Sequence, residues 1–482
     1  LADHYVKLSY DSDSTKKYGS TACTDNSDCE TKCNADSTCE GYTNSGSAIQ
    51  AWGKAGNGGT DPSITSGVVS VVGHNKARAA LMSDGSVKVW GQASYGGTDP
   101  GITDATQLVN CRQGFALIKS DGSIKSWGVS QINDNAPSGS YTKIVGGNDG
   151  FAAIKSDGTV RSWGGGAVCD EDEGGTDGTS YTCKPAGLSD VVDIFSNLWS
   201  FHALKSDGSV VSWGSKTKGG TDQGLTGVVS IVTSANGVAA LKSDGSVAVW
   251  GQCKGGTDCV DPGITSGATK IIPGQYAFTV IKDDGSLVGI GPANHGVDTP
   301  PSGTGFVAAA SALNGFAALK SDGSIATWGR SGYGGDGGPT TGVFTKIVGA
   351  RNAFAAIKDD GSVEVWGDNN GGGCNSGVDF TDIYGNTVSC KPDGLTNVVD
   401  IVDGSSAFAA LKSDGSVAAW GSHAYGGDDP GITSGVASIV GLNLEKKHFG
   451  VMNSFVAIFT ATAEYGPEVT GSSGGSVTKN IG

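Results

Sequence analysis

Short apolar bursts separated by Gly, Asp, Ser and Thr run along almost the whole chain, and three kinds of burst recur in fixed order. The first is a five-residue apolar run such as Val228-Val-Ser-Ile-Val232. The second is a Phe-Ala-Ala-Leu run, as at Phe316 to Leu319, and the third a Ser-Val-x-Val-Trp run, as at Ser86 to Trp90. Runs this short, bounded by breakers, predict β-strands rather than helices. The second and third are joined by Ser-Asp-Gly-Ser, whose Asp-Gly step predicts a tight hairpin. The Phe-Ala-Ala-Leu runs lack apolar/polar alternation, which predicts strands covered on both faces, with Ala allowing neighbouring sheets to approach closely.

Trp-Gly closes the third run at Trp52, Trp90, Trp127, Trp163, Trp213, Trp250, Trp328, Trp366 and Trp420, and a degenerate copy, Ser286-Leu-Val-Gly-Ile290-Gly, fills the one gap. Most spacings are 36 to 40 residues; the two after Trp163 and Trp366 are 50 and 54. The period predicts a repeat architecture of ten units. Each of the three strand types occurs ten times, but the first Trp strand, Ala48 to Trp52, precedes any first strand, and the last unit has no Trp strand of its own. The surplus at one end matches the deficit at the other. Because an open row leaves two unpaired edges, the expected fold is an all-β, ten-repeat β-propeller of three-stranded blades closed by the N-terminal strand. Two five-bladed propellers and an open β-solenoid are the alternatives. The long intervals lie five repeats apart and end alike, at Cys183-Lys-Pro-Ala-Gly-Leu and Cys390-Lys-Pro-Asp-Gly-Leu, as expected of a duplicated five-unit block whose long loops lie opposite each other.

Asp-Gly-Ser-Val-x-x-Trp-Gly followed by Tyr-Gly-Gly, as at Asp84 to Gly97, resembles the regulator-of-chromosome-condensation repeat family. The short unit is more similar to the secreted β-lactamase-inhibitory branch of that superfamily than to the nuclear exchange factors. The resemblance covers about residues 45 to 460 and implies propeller blades, seven in the usual member against ten repeats here. The repeat domain is therefore set at 45–460, between a Cys-rich segment, 1–44, and a Gly/Ser/Thr-rich tail, 461–482. Within 1–44, Cys29-Glu-Thr-Lys-Cys33 to Cys39-Glu-Gly-Tyr is similar to the core of the PAN/apple family of extracellular adhesion modules; a disulfide-tied lead-in to the first blade is the plainer reading.

With 81 Gly but only 13 Pro and no Gly-X-Y period, the composition suits many tight turns. A formal net charge of −16 without clustered Lys or Arg argues against nucleic acid as partner. No apolar run approaches the ~18 residues of a membrane span. Eleven Cys fall into local groups: Cys23, Cys29, Cys33 and Cys39, then Cys169 with Cys183, Cys253 with Cys259, and Cys374 with Cys390, leaving Cys111 over. Loop-bracketing pairs read as disulfides, so the expected setting is extracellular or a secretory lumen. Leu1, without Met or an apolar leader, reads as a processed form.

Chemistry is harder to find. Six His are scattered, with His202 in the Ala slot of a middle strand, and no point along the repeats joins acid, base and nucleophile. The Gly-Gly-Thr-Asp loops supply Asp61, Asp99, Asp177, Asp222 and Asp258, with the related Asp336 and Asp428: calcium ligands, or turn caps. No cofactor other than calcium is suggested. Tyr95, Tyr333 and Tyr425 precede Gly-Gly at one repeat position, where they serve either a binding surface or the packing of the loop on the next blade. Lys119, Lys155, Lys205, Lys242, Lys282, Lys320, Lys358 and Lys412 precede the hairpins and read as a solvated rim. The expected function is that of a secreted, non-enzymatic structural or adhesive protein. Its partner would be protein, through self-assembly of loops and terminal tails into a filament or matrix, with Cys111 available for linkage. A glycan-binding propeller or an inhibitor of a secreted enzyme is the alternative.

Overall fold

The computed structural model describes residues 48–53, 60, 62–74, 76–132, 136–165, 168–253, 258–259, 263–292, 299–374, 379–381, 387–441 and 454–459, with the backbone of strands 17–18, 21–23, 39–44 and 463–469. Every repeat forms one antiparallel sheet in the expected order, first strand to middle strand to Trp strand. Numbered along the chain by their first strands, the sheets start at Val68, Ala105, Tyr141, Val191, Val228, Ala268, Phe306, Phe344, Val398 and Val436. Sheet 10 is completed by Ile49–Gly53, which pairs with Ser454–Phe459 in the register Phe455↔Trp52, Val456↔Ala51, Ala457↔Gln50 and Ile458↔Ile49.

The middle strands are buried along nearly their full length, as at Gly114–Lys119 and Ala407–Lys412. Burial on both faces requires a neighbour on each side, and ten core clusters supply them, one at each junction between consecutive sheets. Ala239 and Val280 lie in the cluster joining sheets 5 and 6, so no break divides the row into two five-bladed halves. Ile49 and Ala51 of sheet 10 pack with Val68, Ala80 and Trp90 of sheet 1, and the order of packing is cyclic. Within seven of the sheets the Phe and Trp of facing strands stack, with centroids 5.3 Å apart for Phe115 and Trp127 and 5.5 Å for Trp52 and Phe455. Such pairs add roughly 0.5–1.5 kcal/mol beyond the area they bury. In sheet 1 the Phe position holds Arg78, fully buried, whose guanidinium donates to the Ala77 carbonyl at 3.0 Å.

The tight hairpin expected at Asp-Gly forms, with three residues in its loop. Ser and Asp occupy its centre and Gly closes it in the left-handed region, as when Gly122 N–H (φ +81°) donates to Lys119 O at 2.9 Å. This is the three-residue loop with a glycine bulge. The same Gly makes a second contact. Its carbonyl accepts the N–H that opens the first strand of the next sheet, from Ala105 N–H to Gly85 O (2.8 Å) through Val436 N–H to Gly415 O (3.0 Å), nine times in all. A Cβ on Gly245 (φ +75°) would sit 2.7 Å from Gly267 N of the neighbouring sheet, so the position tolerates no side chain. The turn Asp accepts from the Ser two residues on, as Asp121 does from Ser123 N–H (2.8 Å) and Oγ–H (2.6 Å).

Short strands from the two terminal segments pair with each other. Lys17–Tyr18, Thr21–Cys23 and Cys39–Asn44 all pair with Ala463–Val469, so part of the expected tail is a central strand held by the N-terminal segment. Cys29, Cys33 and the rest of the tail lie outside the described residues.

Hydrogen bonds from the Ser hydroxyl, then from the Ser or Thr amide, hold the carboxyls of nine turn Asp, Asp84 through Asp414, below the usual carboxylate range. A depressed folded-state pKa contributes stability above the unfolded value, near 3.9, that is lost as pH falls through the folded value. Melting temperature, followed by circular dichroism, should therefore decline as pH is lowered from 5 to below ~3, and replacing Asp121, Asp244 and Asp322 together by Asn should flatten that decline.

Candidate functional site

Each sheet presents the same two ends to the same two sides of the molecule. On one side lie the Asp-Gly hairpins and the starts of the first strands; on the other lie the Trp-Gly steps and the loops that follow them. These two loop-bearing sides are where the residues singled out in the sequence fall.

On the Trp side, Tyr95, Tyr333 and Tyr425 stand in the loops after sheets 1, 7 and 9, each half-buried, so they do not converge on one site. The Gly that follows each of them explains the motif. Gly96, Gly334 and Gly426 take φ of +90°, +83° and +87°, and their carbonyls accept the indole N–H of the next sheet's Trp: Trp127 at 3.0 Å, Trp366 at 3.2 Å and Trp52 at 3.0 Å. Gly219 and Gly372 serve Trp250 and Trp420 in the same way. The loop thus caps the adjacent sheet. Tyr333 also lies under the Arg330 guanidinium, 5.0 Å from ring centroid to carbon.

The acidic candidates cap turns. Asp99 accepts Gly101 N–H (2.8 Å), Asp222 accepts Gly224 N–H (3.2 Å), Asp177 accepts Cys183 N–H (2.7 Å), and Asp336 accepts Ser331 Oγ–H (2.8 Å). Asp258 bridges Gln252 through its backbone, and Asp61 lies outside the described residues. Among the described residues no three His, Cys, Asp or Glu stand close enough to hold a metal ion.

Cys169–Cys183, Cys253–Cys259 and Cys374–Cys390 are disulfides, as expected. Cys111 is not a linkage point: it is fully buried between sheets 2 and 3, and that burial pushes its thiol up to about 12. The two long loops add strands to the outer edges of sheets 4 and 9, five positions apart in the cycle: Tyr181–Thr182 on one, Phe380–Thr381 and Thr387–Ser389 on the other. Beside the first disulfide Lys184, wholly buried, reaches Asp170 (3.1 Å) and Asp172 (2.5 Å), and Arg161 reaches Asp172 (2.8 Å).

Beside the second lies an arrangement that no spacing announced. Ser389 Oγ is 2.8 Å from His423 Nε2, and His423 Nδ1 is 2.5 Å from Asp428. Nucleophile, base and acid are together after all, contrary to the sequence expectation. A fourth group joins them. Asp379 lies 3.1 Å from Ser389 Oγ and accepts Cys390 N–H (3.2 Å). The four residues pin the stapled loop to sheet 9. In sheet 4 a second His is fully buried: His202 lies between the Ser200 (3.0 Å) and Ser212 (2.9 Å) hydroxyls with no exposed surface.

The first strands face inward. Those of sheets 3 to 7 line a cavity of about 700 Å³, with Lys143 paired to Asp193 across sheets 3 and 4 (2.6 Å). Lys346 and Asp400 repeat the pair across sheets 8 and 9. At the opposite, hairpin end of each first strand the second residue bulges out of register. It is Val69, Val192, Val229, Val307 and Val399 in sheets 1, 4, 5, 7 and 9, each 51–57% exposed. In sheets 2, 3, 6 and 8 it is Thr106, Thr142, Thr269 and Thr345, whose hydroxyls donate to a middle-strand carbonyl, as Thr106 does to Ile118 O (3.1 Å). This was missed in the sequence because the bulge turns outward a residue that alternation would place with the core.

No family model and no curated protein matches the chain. Among solved structures it is similar to the CRINKLY ectodomain of the Arabidopsis thaliana receptor kinase ACR4, at 18% identity over 53% of this chain and 91% of that one, with a TM-score of 0.31. It is similar also to Prp20p of Saccharomyces cerevisiae, at 14% over 87% and 93% with a TM-score of 0.33, and to human WBSCR16, at 15% over 70% and 92% with a TM-score of 0.32. A structure of yeast RCC1 (Prp20) with Kap60 is similar at 15% over 75% of this chain and 86% of that one, with a TM-score of 0.33. No helix among the described residues is long and apolar enough to cross a membrane.

Two substitutions check these assignments by chemical denaturation. Lys184→Met leaves Asp170 buried beside an apolar side chain and should cost about 3–5 kcal/mol. Gly334→Ala places a Cβ 2.4 Å from the Phe354 ring at a positive φ and should cost more than ~1 kcal/mol.

Proposed function

We propose that this chain is a secreted structural or adhesive protein that acts through protein–protein contact, with further copies of itself as the first partner. The observation that carries this reading is the set of five half-exposed Val side chains at one repeat position on the hairpin side. Apolar groups repeated on one face of a soluble protein mark a contact surface when they are continuous enough to exclude water. Their origin favours this reading over chance. Thr serves the same bulge in four other sheets and satisfies a backbone carbonyl there, so Val gives up a hydrogen bond for exposed apolar surface.

Three disulfides support an oxidising, extracellular setting. The non-enzymatic reading is supported by the way the chemistry-bearing groups are used. Ser389, next to His423 and Asp428, also lies 3.1 Å from the Asp379 carboxylate, and Asp99, Asp177, Asp222 and Asp336 are engaged in hydrogen bonds of their own. Glycan stacking on Tyr95, Tyr333 and Tyr425 lacks comparable support, because those rings stand in three separate loops.

Val192 and Val229 belong to adjacent sheets. Changing both to Lys should leave folding stability within about 0.5 kcal/mol, since neither is buried. The same change should abolish association measured by light scattering at high protein concentration. A wild-type protein that stays a monodisperse monomer under those conditions would refute the reading.

A further inference from the structure

Nine of the ten sheets receive their Trp strand through a three-residue hairpin, so pairing of middle and Trp strand is enforced by the chain itself. Sheet 10 does not. Its middle strand ends at Phe459 and its Trp strand is Ile49–Gly53, about four hundred residues earlier. The hairpin missing there also removes an inter-sheet bond. At nine junctions the turn Gly carbonyl accepts the opening N–H of the next sheet, but sheet 10 has no turn Gly to offer Val68.

The same seam runs on into the termini. Among the described residues, the strands at 17–18, 21–23 and 39–44 pair only with Ala463–Val469, so every described strand pairing made by residues 17–53 is to residues 454–469. Ile49–Gly53 stays tied to sheet 1 through Ile49 N–H to Ile64 O (3.0 Å), and Ser454–Phe459 stays tied to its own first strand, Val436–Gly441. The molecule can therefore part along this line without unfolding a sheet elsewhere.

We propose that this seam is an assembly interface: the open edge of Ser454–Phe459 in one copy takes Ile49–Gly53 of a second copy, and successive copies join head to tail. This rests on the reading of the chain as a self-assembling protein, and it supplies the contact.

The contact set is unchanged by the exchange. Trp52 stacks on Phe455 and donates to Gly426 O (3.0 Å), Gln50 Nε2 donates to Pro430 O (3.3 Å), and Ile49 and Ala51 bury against Val456. A donor and an acceptor edge on opposite ends of one chain form a heterologous interface, which propagates where it does not close. Intrachain closure competes through effective concentration, of order millimolar for a flexible connection, so exchange grows with protein concentration. The two exposed edges left by opening also explain why a second copy, rather than an unrelated partner, is selected. The edge needs an Ile-Gln-Ala-Trp-Gly strand whose Trp meets both Phe455 and the Gly426 carbonyl.

Ala51 and Val456 face each other across the seam and are both buried, so Cys at these two positions is placed to bond across it. Full-length Ala51→Cys and Val456→Cys, carrying different tags, would be refolded together at increasing concentration up to the millimolar range and oxidised. The double variant Ala51→Cys/Val456→Cys would serve as control, its intrachain bond showing that the pair folds and reacts. A disulfide-linked species containing one of each tag, rising with concentration, is the expected result. Absence of that species while the control links to completion overturns the proposal. Light scattering on the same mixtures separates the two ways of failing. Large particles without the mixed link reject exchange and leave assembly through the hairpin side standing; monomers alone reject both.

Discussion

A sheet buried on both faces cannot stand at the end of a row. The middle strands here are covered along nearly their whole length, with Ala where two sheets must approach, and every junction has its own core cluster. The row must therefore return on itself, and the strand that lets it do so comes from the far end of the chain. The hairpin Gly adds direction. By offering its carbonyl to the next sheet, it makes each sheet the template for the start of its successor.

That economy leaves little freedom for chemistry. The Asp of each turn is engaged by Ser or Thr, and five of the Trp indoles by the neighbouring loop. Groups that look reactive in isolation, such as Ser389 with His423 or His202 with Ser200, are tied into the same task of holding a strand or loop in place. Among the groups that remain open to a partner are the exposed Val of the bulges and the closing edge of sheet 10. Both suit contact with protein better than transformation of a small molecule.

Much of this was legible along the chain. The repeat period, the hairpins, the three loop disulfides and the displaced Trp strand all follow from residue order, because each depends on neighbours in sequence or on counting. The reading failed where distant residues met. Cys111 looked like a spare thiol and is sealed between two sheets; the tail looked loose and contains the central strand of a terminal sheet. Ser389, His423, Asp428 and Asp379 come from a long loop and from the end of the following Trp strand, with no spacing to connect them. The five outward Val were hidden by a bulge, which reverses the side on which alternation would place them.

Residue order determined the three-stranded unit and its repetition, since strand length, turn chemistry and two-sided burial are local properties. Tertiary structure alone decided which groups remain available. Availability depends on what fills the space beside a side chain, and that space is bounded here by residues one sheet, five sheets or four hundred positions away.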